Sequence, residues 1–132
     1  MGRALILETT FLVDLEREHL RGVPTGAVDF LVKAEGARLY LPAIVAGELA
    51  AGTSMANRAK WEAFLAPFFL LSVTPDVAWE FGRIARHLRG VGQLIGTNDL
   101  WIAATALANR MPVVTRNVQH FRRVPHLEVE TY

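Results

Sequence analysis

The sequence predicts an α/β fold with a central, mostly parallel β-sheet and helices on both faces. Short, continuously apolar segments such as "RALIL" recur, as in strands covered on both sides. Longer segments between them carry apolar residues at helical spacing, and the two kinds alternate as strand–helix–strand units do. The chain has 132 residues and is 52% hydrophobic, enough for one domain over 1–132 with a sizeable core.

The elements follow in order. "RALIL" (3–7) is the first strand, and "FLVDLERE" is a helix that turns polar towards its end. "VPTG" breaks the chain before a second helix over roughly 25–36, where Val28, Leu31 and Val32 share a face. "ARLYLP" is a strand, and Pro42 suits the first turn of the helix "AIVAGELAAG". "NRAKWEAFLAPF" is helical and "FLLSVT" extended. "PDVAWEFGRIARHLRG" is an amphipathic helix with Val77, Phe81, Ile84 and Leu88 on one stripe. After the loop "GVGQLIGT" comes the helix headed by Asp99, then "PVVT" as a strand, "RNVQHFRRV" as a turn or short helix, and "LEVE" as the final strand.

Composition narrows the function classes. Without cysteine there are no disulfides and no thiolate zinc sites, which fits a reducing, cytoplasmic setting. "MGRALILETTF" is not a signal peptide, because Glu8 interrupts its apolar run, and no apolar segment approaches the ~20 residues that span a bilayer. Net charge is +1 but unevenly spread: from Arg83 to Arg123 there are seven arginines and one acid, Asp99. That is either a solvated surface or a polyanion path leading to a carboxylate.

Parallel sheets bind ligands at the carboxyl ends of their strands, at a topological switch point. Glu8 terminates "RALIL"; it either serves the dipole of the next helix or faces that crevice. Glu48 lies between Ile44 and Val45 on its helical wheel and is the sole charge of an apolar helix. A carboxylate buried there needs a cation or strong donors, so an arginine partner is the alternative to a metal. Asp99 heads "IGTNDLWIAATAL" either as a capping acid or as a metal ligand. Asn117 follows "PVVTR" at another strand end, where Asn is also an ordinary turn residue. Taken together, three carboxylates on separate segments repel one another unless cations bridge them. Oxygen donors without Cys or a spaced His pair favour Mg²⁺, with Mn²⁺ as the second choice, over zinc. An acidic metal site beside arginines suits phosphodiester hydrolysis.

Other chemistries lack their residues. His19 and His87 lie on polar helix faces, and His120 and His126 in the C-terminal turns. Ser54 and Ser72 lack a G-x-S-x-G context, and "GVGQLIG" lacks the lysine and preceding strand of a phosphate loop.

The arrangement resembles the PIN-domain ribonucleases, specifically the VapC-type toxins of toxin–antitoxin pairs. "LILETTFLVDLER" is similar to their opening strand and helix, and "VAGELAAG" to their second motif. "IGTNDLWIAATAL" is similar to the third, and "VVTRNVQHFRRVPHLEVE" to the closing strand, Arg-rich turn and final strand. The resemblance implies a PIN-like fold and a Mg²⁺-dependent endoribonuclease acting on RNA. It places Glu8, Glu48 and Asp99 as metal ligands and Asn117 as the fourth site residue, with Thr9, Thr115 and Arg116 beside them as candidate phosphate contacts. It also implies a homodimer and a VapB-like antitoxin partner. Glu8 stands where most members carry Asp, and Asn117 where many carry a carboxylate. The first departure motivates an alternative: a catalytically degenerate PIN domain acting as an RNA- or protein-binding module. The apolar "WEAFLAPFFLL" and the helix holding Trp79 are the surfaces expected to meet another copy or the antitoxin.

Overall fold

The computed structural model describes residues 2–132 and contains one five-stranded, all-parallel sheet in the order β3-β2-β1-β4-β5. Strand β1 (Ala4–Leu7) leads through α1 (Thr9–Arg21) and α2 (Ala27–Lys33) to β2 (Arg38–Pro42). Helix α3 (Ala43–Ala51), a 3₁₀ turn and α4 (Arg58–Leu65) then lead to β3 (Phe69–Leu71). From β3 the chain crosses through α5 (Pro75–Gly90) and α6 (Thr97–Asn109) to β4 (Val113–Val114), on the other side of β1. The short α7 (Val118–Phe121) precedes β5 (Val129–Glu130). The strand order reverses between β1 and β4, so the switch point lies at their carboxyl ends.

The predicted α/β class holds, and its cause is visible in β1. Leu5, Ile6 and Leu7 are all fully buried, and since neighbours on a strand face opposite ways, both sides of β1 are covered. Leu41 of β2 and Val113 and Val114 of β4 are equally buried. Helix α6 contributes Ile102, Ala103, Ala104 and Ala106 to the same core. Its small residues leave room for α5, which packs alongside it with Phe81 stacked on Trp101 at 4.0 Å. Trp61 donates from Nε1 to the Ala46 carbonyl at 3.0 Å, fixing α4 against α3. No helix is long and apolar enough to cross a membrane among the described residues.

Several elements are shorter than the sequence suggested. Of "FLLSVT" only Phe69–Leu71 pairs with β2, leaving Phe69 and Leu70 exposed on the sheet's outer edge. "LEVE" contracts to two paired residues, and the second helix to 27–33. That helix is capped at its start by Gly26, whose positive φ of 91° suits glycine. Its orphan amides are satisfied from outside: Glu18 of α1 accepts from the backbone N–H groups of Thr25, Gly26 and Val28 and from the Thr25 hydroxyl.

These donors hold the Glu18 carboxyl down at about 2, below its ordinary 4.5, with the Thr25 backbone and hydroxyl bonds the largest causes. A depressed carboxyl contributes stability that is complete above pH 4.5 and is lost as pH falls towards 2. Glu18→Ala is therefore expected to lower Tm at neutral pH. Its deficit against wild type should shrink across that acid window; thermal melts at stepped pH check this, and a constant deficit contradicts it.

Candidate active site

Glu8 ends β1 and caps α1. Its Oε2 accepts from the Thr10 backbone N–H at 3.1 Å, and its Oε1 from the hydroxyls of Thr10 and Thr115. The side chain is only 3% exposed. Burial raises its pKa, the Thr115 and Thr10 hydrogen bonds oppose that rise, and the charge of Asp99 adds to it. The capping role weighed for Glu8 is thus real, and the residue also lies at the switch point within the field of a second acid.

Asp99 occupies the first turn of α6, but the cap of that helix is Gly96 and makes no side-chain hydrogen bond. The Asp99 carboxylate instead meets His120, with Oδ2 3.1 Å from Nδ1. Asn117, at the start of α7, also makes no capping bond; its Nδ2 lies 2.9 Å from the same His120 nitrogen. Asp99, Asn117 and His120 therefore form one polar cluster, although they come from different parts of the chain.

Glu48 is half-buried rather than enclosed, and the Thr9 hydroxyl donates to its Oε1 at 2.6 Å. The arginine partner considered for it is absent: among the described residues no Lys or Arg forms an ion pair with Glu8, Glu48 or Asp99. These donors suit a hard divalent cation in kind, being carboxylate and amide oxygens without thiolate. Yet no three Asp, Glu or His side chains among the described residues converge on a common point. Glu8 is turned to Thr10 and Thr115, and Glu48 to Thr9.

The residues expected to contact phosphate also make hydrogen bonds within the protein. Thr115 has no exposed surface; its hydroxyl donates to Glu8 and accepts from the Asn117 backbone N–H at 2.9 Å. The Arg116 guanidinium donates to Asp14 at 2.9 Å and to the Thr25 carbonyl, and lies over the Tyr132 ring at 4.7 Å. Thr9 donates to Glu48. Thr115 and Thr9 thus position the two glutamates, and Arg116 braces the loop while its side chain remains half exposed.

His120 and Asp14 were not anticipated. Asn117 and His120 are three residues apart, a same-face spacing on a helix, but "RNVQHF" is too short to show periodicity. Asp14 carried a signal: it falls on the buried stripe of α1 with Phe11 and Leu15. It accepts from Arg116 and, at 2.6 Å, from the Tyr132 hydroxyl.

The PIN domain family model matches residues 5–127. "Ribonuclease VapC19" of Mycobacterium tuberculosis is 36% identical over 127 residues, covering 93% of this chain and 96% of that protein. "Ribonuclease VapC2" of Rickettsia felis is 30% identical over 75% of this chain and 78% of its own length. Among solved structures, VapBC2 of Rickettsia felis bound to a promoter DNA fragment aligns with a TM-score of 0.83 at 26% identity, covering 98% of each chain. FitAcB of Neisseria gonorrhoeae aligns with a TM-score of 0.75 at 27% identity over 95% of each. With the sheet order, the acids at its switch point and a match along nearly its whole length, this chain belongs to the PIN-domain family, in its VapC branch.

Proposed function

We propose that the chain is a metal-dependent endoribonuclease, the toxin of a VapBC-type pair. In this reading Glu8, Glu48 and Asp99 are its metal ligands and Asn117 completes the site. The observation that carries the proposal is three carboxylates, one just after β1 and the others on α3 and α6, none with a Lys or Arg partner among the described residues, two of them close enough for Asp99 to disfavour ionisation of Glu8. The names of the relatives, ribonucleases of the VapC type, supply the reaction class. A bound Mg²⁺ or Mn²⁺ supplies an activated water and stabilises the leaving oxygen.

The chain's own residues then divide the work. Thr9 and the Thr10–Thr115 pair hold the glutamates at the switch point without neutralising them. The polyanion is drawn in by arginines: of the seven from Arg83 to Arg123, Arg83 pairs with Glu80 and Arg116 with Asp14, leaving Arg86, Arg89, Arg110, Arg122 and Arg123 without an acid partner among the described residues.

VapBC-5 of Mycobacterium tuberculosis, a similar structure at 27% identity and a member of the VapBC family of toxin–antitoxin systems, supports a VapB-like partner here. An apolar groove of about 1030 Å³ between α1, α2 and α4, lined by Leu15, Leu20, Val23, Val28 and Phe64, is its proposed seat. The exposed edge of β3, with Phe69 and Leu70, and the exposed Trp79 of α5 are the surfaces proposed for homodimerisation. Sedimentation at micromolar concentration is expected to give a dimer, and a monodisperse monomer refutes self-association.

Metal linkage tests the site. An ion that binds only the folded chain stabilises it by about 2.7 kcal/mol at a hundredfold excess over Kd. Mg²⁺ or Mn²⁺ is expected to raise Tm, and Asp99→Asn to abolish both that rise and RNA cleavage. Identical melts of wild type with and without saturating metal contradict the assignment.

One observation favours the degenerate alternative: both Glu8 oxygens are already hydrogen-bonded. Glu8→Asp separates the two readings. With Glu8 as a working ligand, cleavage is expected to stay similar or fall. A tenfold gain, about 1.4 kcal/mol of barrier, would identify Glu8 as a degraded ligand.

A further inference from the structure

The site holds a nitrogen donor that none of the carboxylate chemistry requires. His120 Nδ1 lies 3.1 Å from Asp99 Oδ2 and 2.9 Å from the Asn117 side-chain amide. A ring nitrogen has one hydrogen-bonding direction in the ring plane, to donate or to accept. It cannot accept from the Asn117 NH₂ and donate to Asp99 at once, so as drawn one of the two short contacts is not a hydrogen bond. With the Asn117 amide turned over, the imidazole nitrogen has two oxygen neighbours of kinds that bind cations, a carboxylate oxygen and an amide oxygen. Two donors each about 2.1 Å from one octahedral ion, at right angles, lie about 3.0 Å apart. Both separations match that edge. The three side chains are each partly exposed, so an ion and its remaining waters have access.

We propose that His120 is a direct ligand of the site's metal, joining Asp99 and Asn117 on one face of the ion, and that it biases the site towards a first-row divalent transition ion over Mg²⁺. The inference rests on the reading of Asp99 as a metal ligand. Its chemical basis is ligand softness: imidazole is a good donor to first-row transition ions, whereas Mg²⁺ takes oxygen ligands and keeps its waters. Asp99 enters from the first turn of α6 and Asn117 and His120 from α7, so the cluster joins two elements across the carboxyl end of β4. The loop between β4 and α7 is itself held by Thr10 and Thr115, through the backbone N–H groups of Arg116 and Asn117.

The test uses the full chain without RNA. MnCl₂ and MgCl₂ are titrated calorimetrically into wild type, Asp99→Asn and His120→Gln, and pulsed EPR is recorded on bound Mn²⁺. Gln keeps a polar side chain at this partly exposed position but removes the ring nitrogen, and thermal melts without metal confirm folding. Wild type is expected to bind Mn²⁺ more tightly than Mg²⁺ and to show the nitrogen coupling of a directly bound imidazole. In His120→Gln the coupling should vanish and Mn²⁺ affinity fall about tenfold or more, with Mg²⁺ affinity within about twofold of wild type. If both affinities fall together, or neither changes, and wild type shows no nitrogen coupling, the ligand role is overturned and His120 only orients Asp99. If wild type binds neither ion, or Asp99→Asn binds both as wild type does, the metal reading of Asp99 fails and this inference fails with it.

Discussion

The buried carboxyl group of Glu8 is the constraint around which the switch point is arranged. Placing a carboxylate at 3% exposure beside a fully apolar strand costs several kcal/mol unless donors meet it. Three do: the Thr10 N–H and the hydroxyls of Thr10 and Thr115. Each hydroxyl gives its one proton to Glu8 and so can only accept elsewhere. Thr10 accepts from the Arg116 N–H and Thr115 from the Asn117 N–H. The carboxyl thereby sets the direction of a relay that starts at the end of β1 and ends by fixing the loop after β4. Asn117 is placed by that relay, and through the short α7 so is His120.

A second network holds the same loop from outside. Asp14 points from the buried stripe of α1 and accepts from Arg116 and Tyr132, with Arg17 near its other oxygen at 3.7 Å. The Tyr132 ring packs edge-on against Phe11 at 4.9 Å, and burial is the first cause raising its phenol pKa to about 12. Arg116 lies across that ring and reaches the Thr25 carbonyl, tying β4's loop to the segment before α2. The arginine looks like a phosphate contact in the sequence because it adjoins Asn117. Its guanidinium also braces the backbone on which Asn117 sits, while the side chain stays half exposed.

What was legible in the sequence follows from how local each signal is. "RALIL" announced a central strand because both of its faces are covered, and an unbroken apolar run is the mark of that condition. Glu8 and Asp99 stood out because acids interrupt apolar runs there, which needs no knowledge of partners. "FLLSVT" was read as too long because β3 pairs on one side only, so its apolar residues are exposed at an edge rather than buried in a strand. His120 was illegible as a site residue: its meeting with Asp99, 21 positions away, depends on where α7 swings after β4. Asp14 was overlooked although its helical phase placed it inside, because the Arg116 and Tyr132 that meet it are distant in sequence.

The choice of partners around the acids also bears on what they do. Two acids that brace the fold receive charge or several amides: Arg116 and Arg17 for Asp14, and three backbone N–H groups for Glu18. Glu8 and Glu48 receive mainly threonine hydroxyls, and Asp99 a histidine. A hydroxyl fixes the position of a carboxylate but does not cancel its charge, whereas an arginine does both. The threonine hydroxyls therefore leave the charge of the glutamates uncompensated at the carboxyl end of β1, and Asp99 acts to raise the pKa of Glu8. A fold selected only for stability gains nothing from that residual repulsion. A site that admits a divalent cation requires it, because the cation's affinity comes from the charge that the protein has left uncompensated.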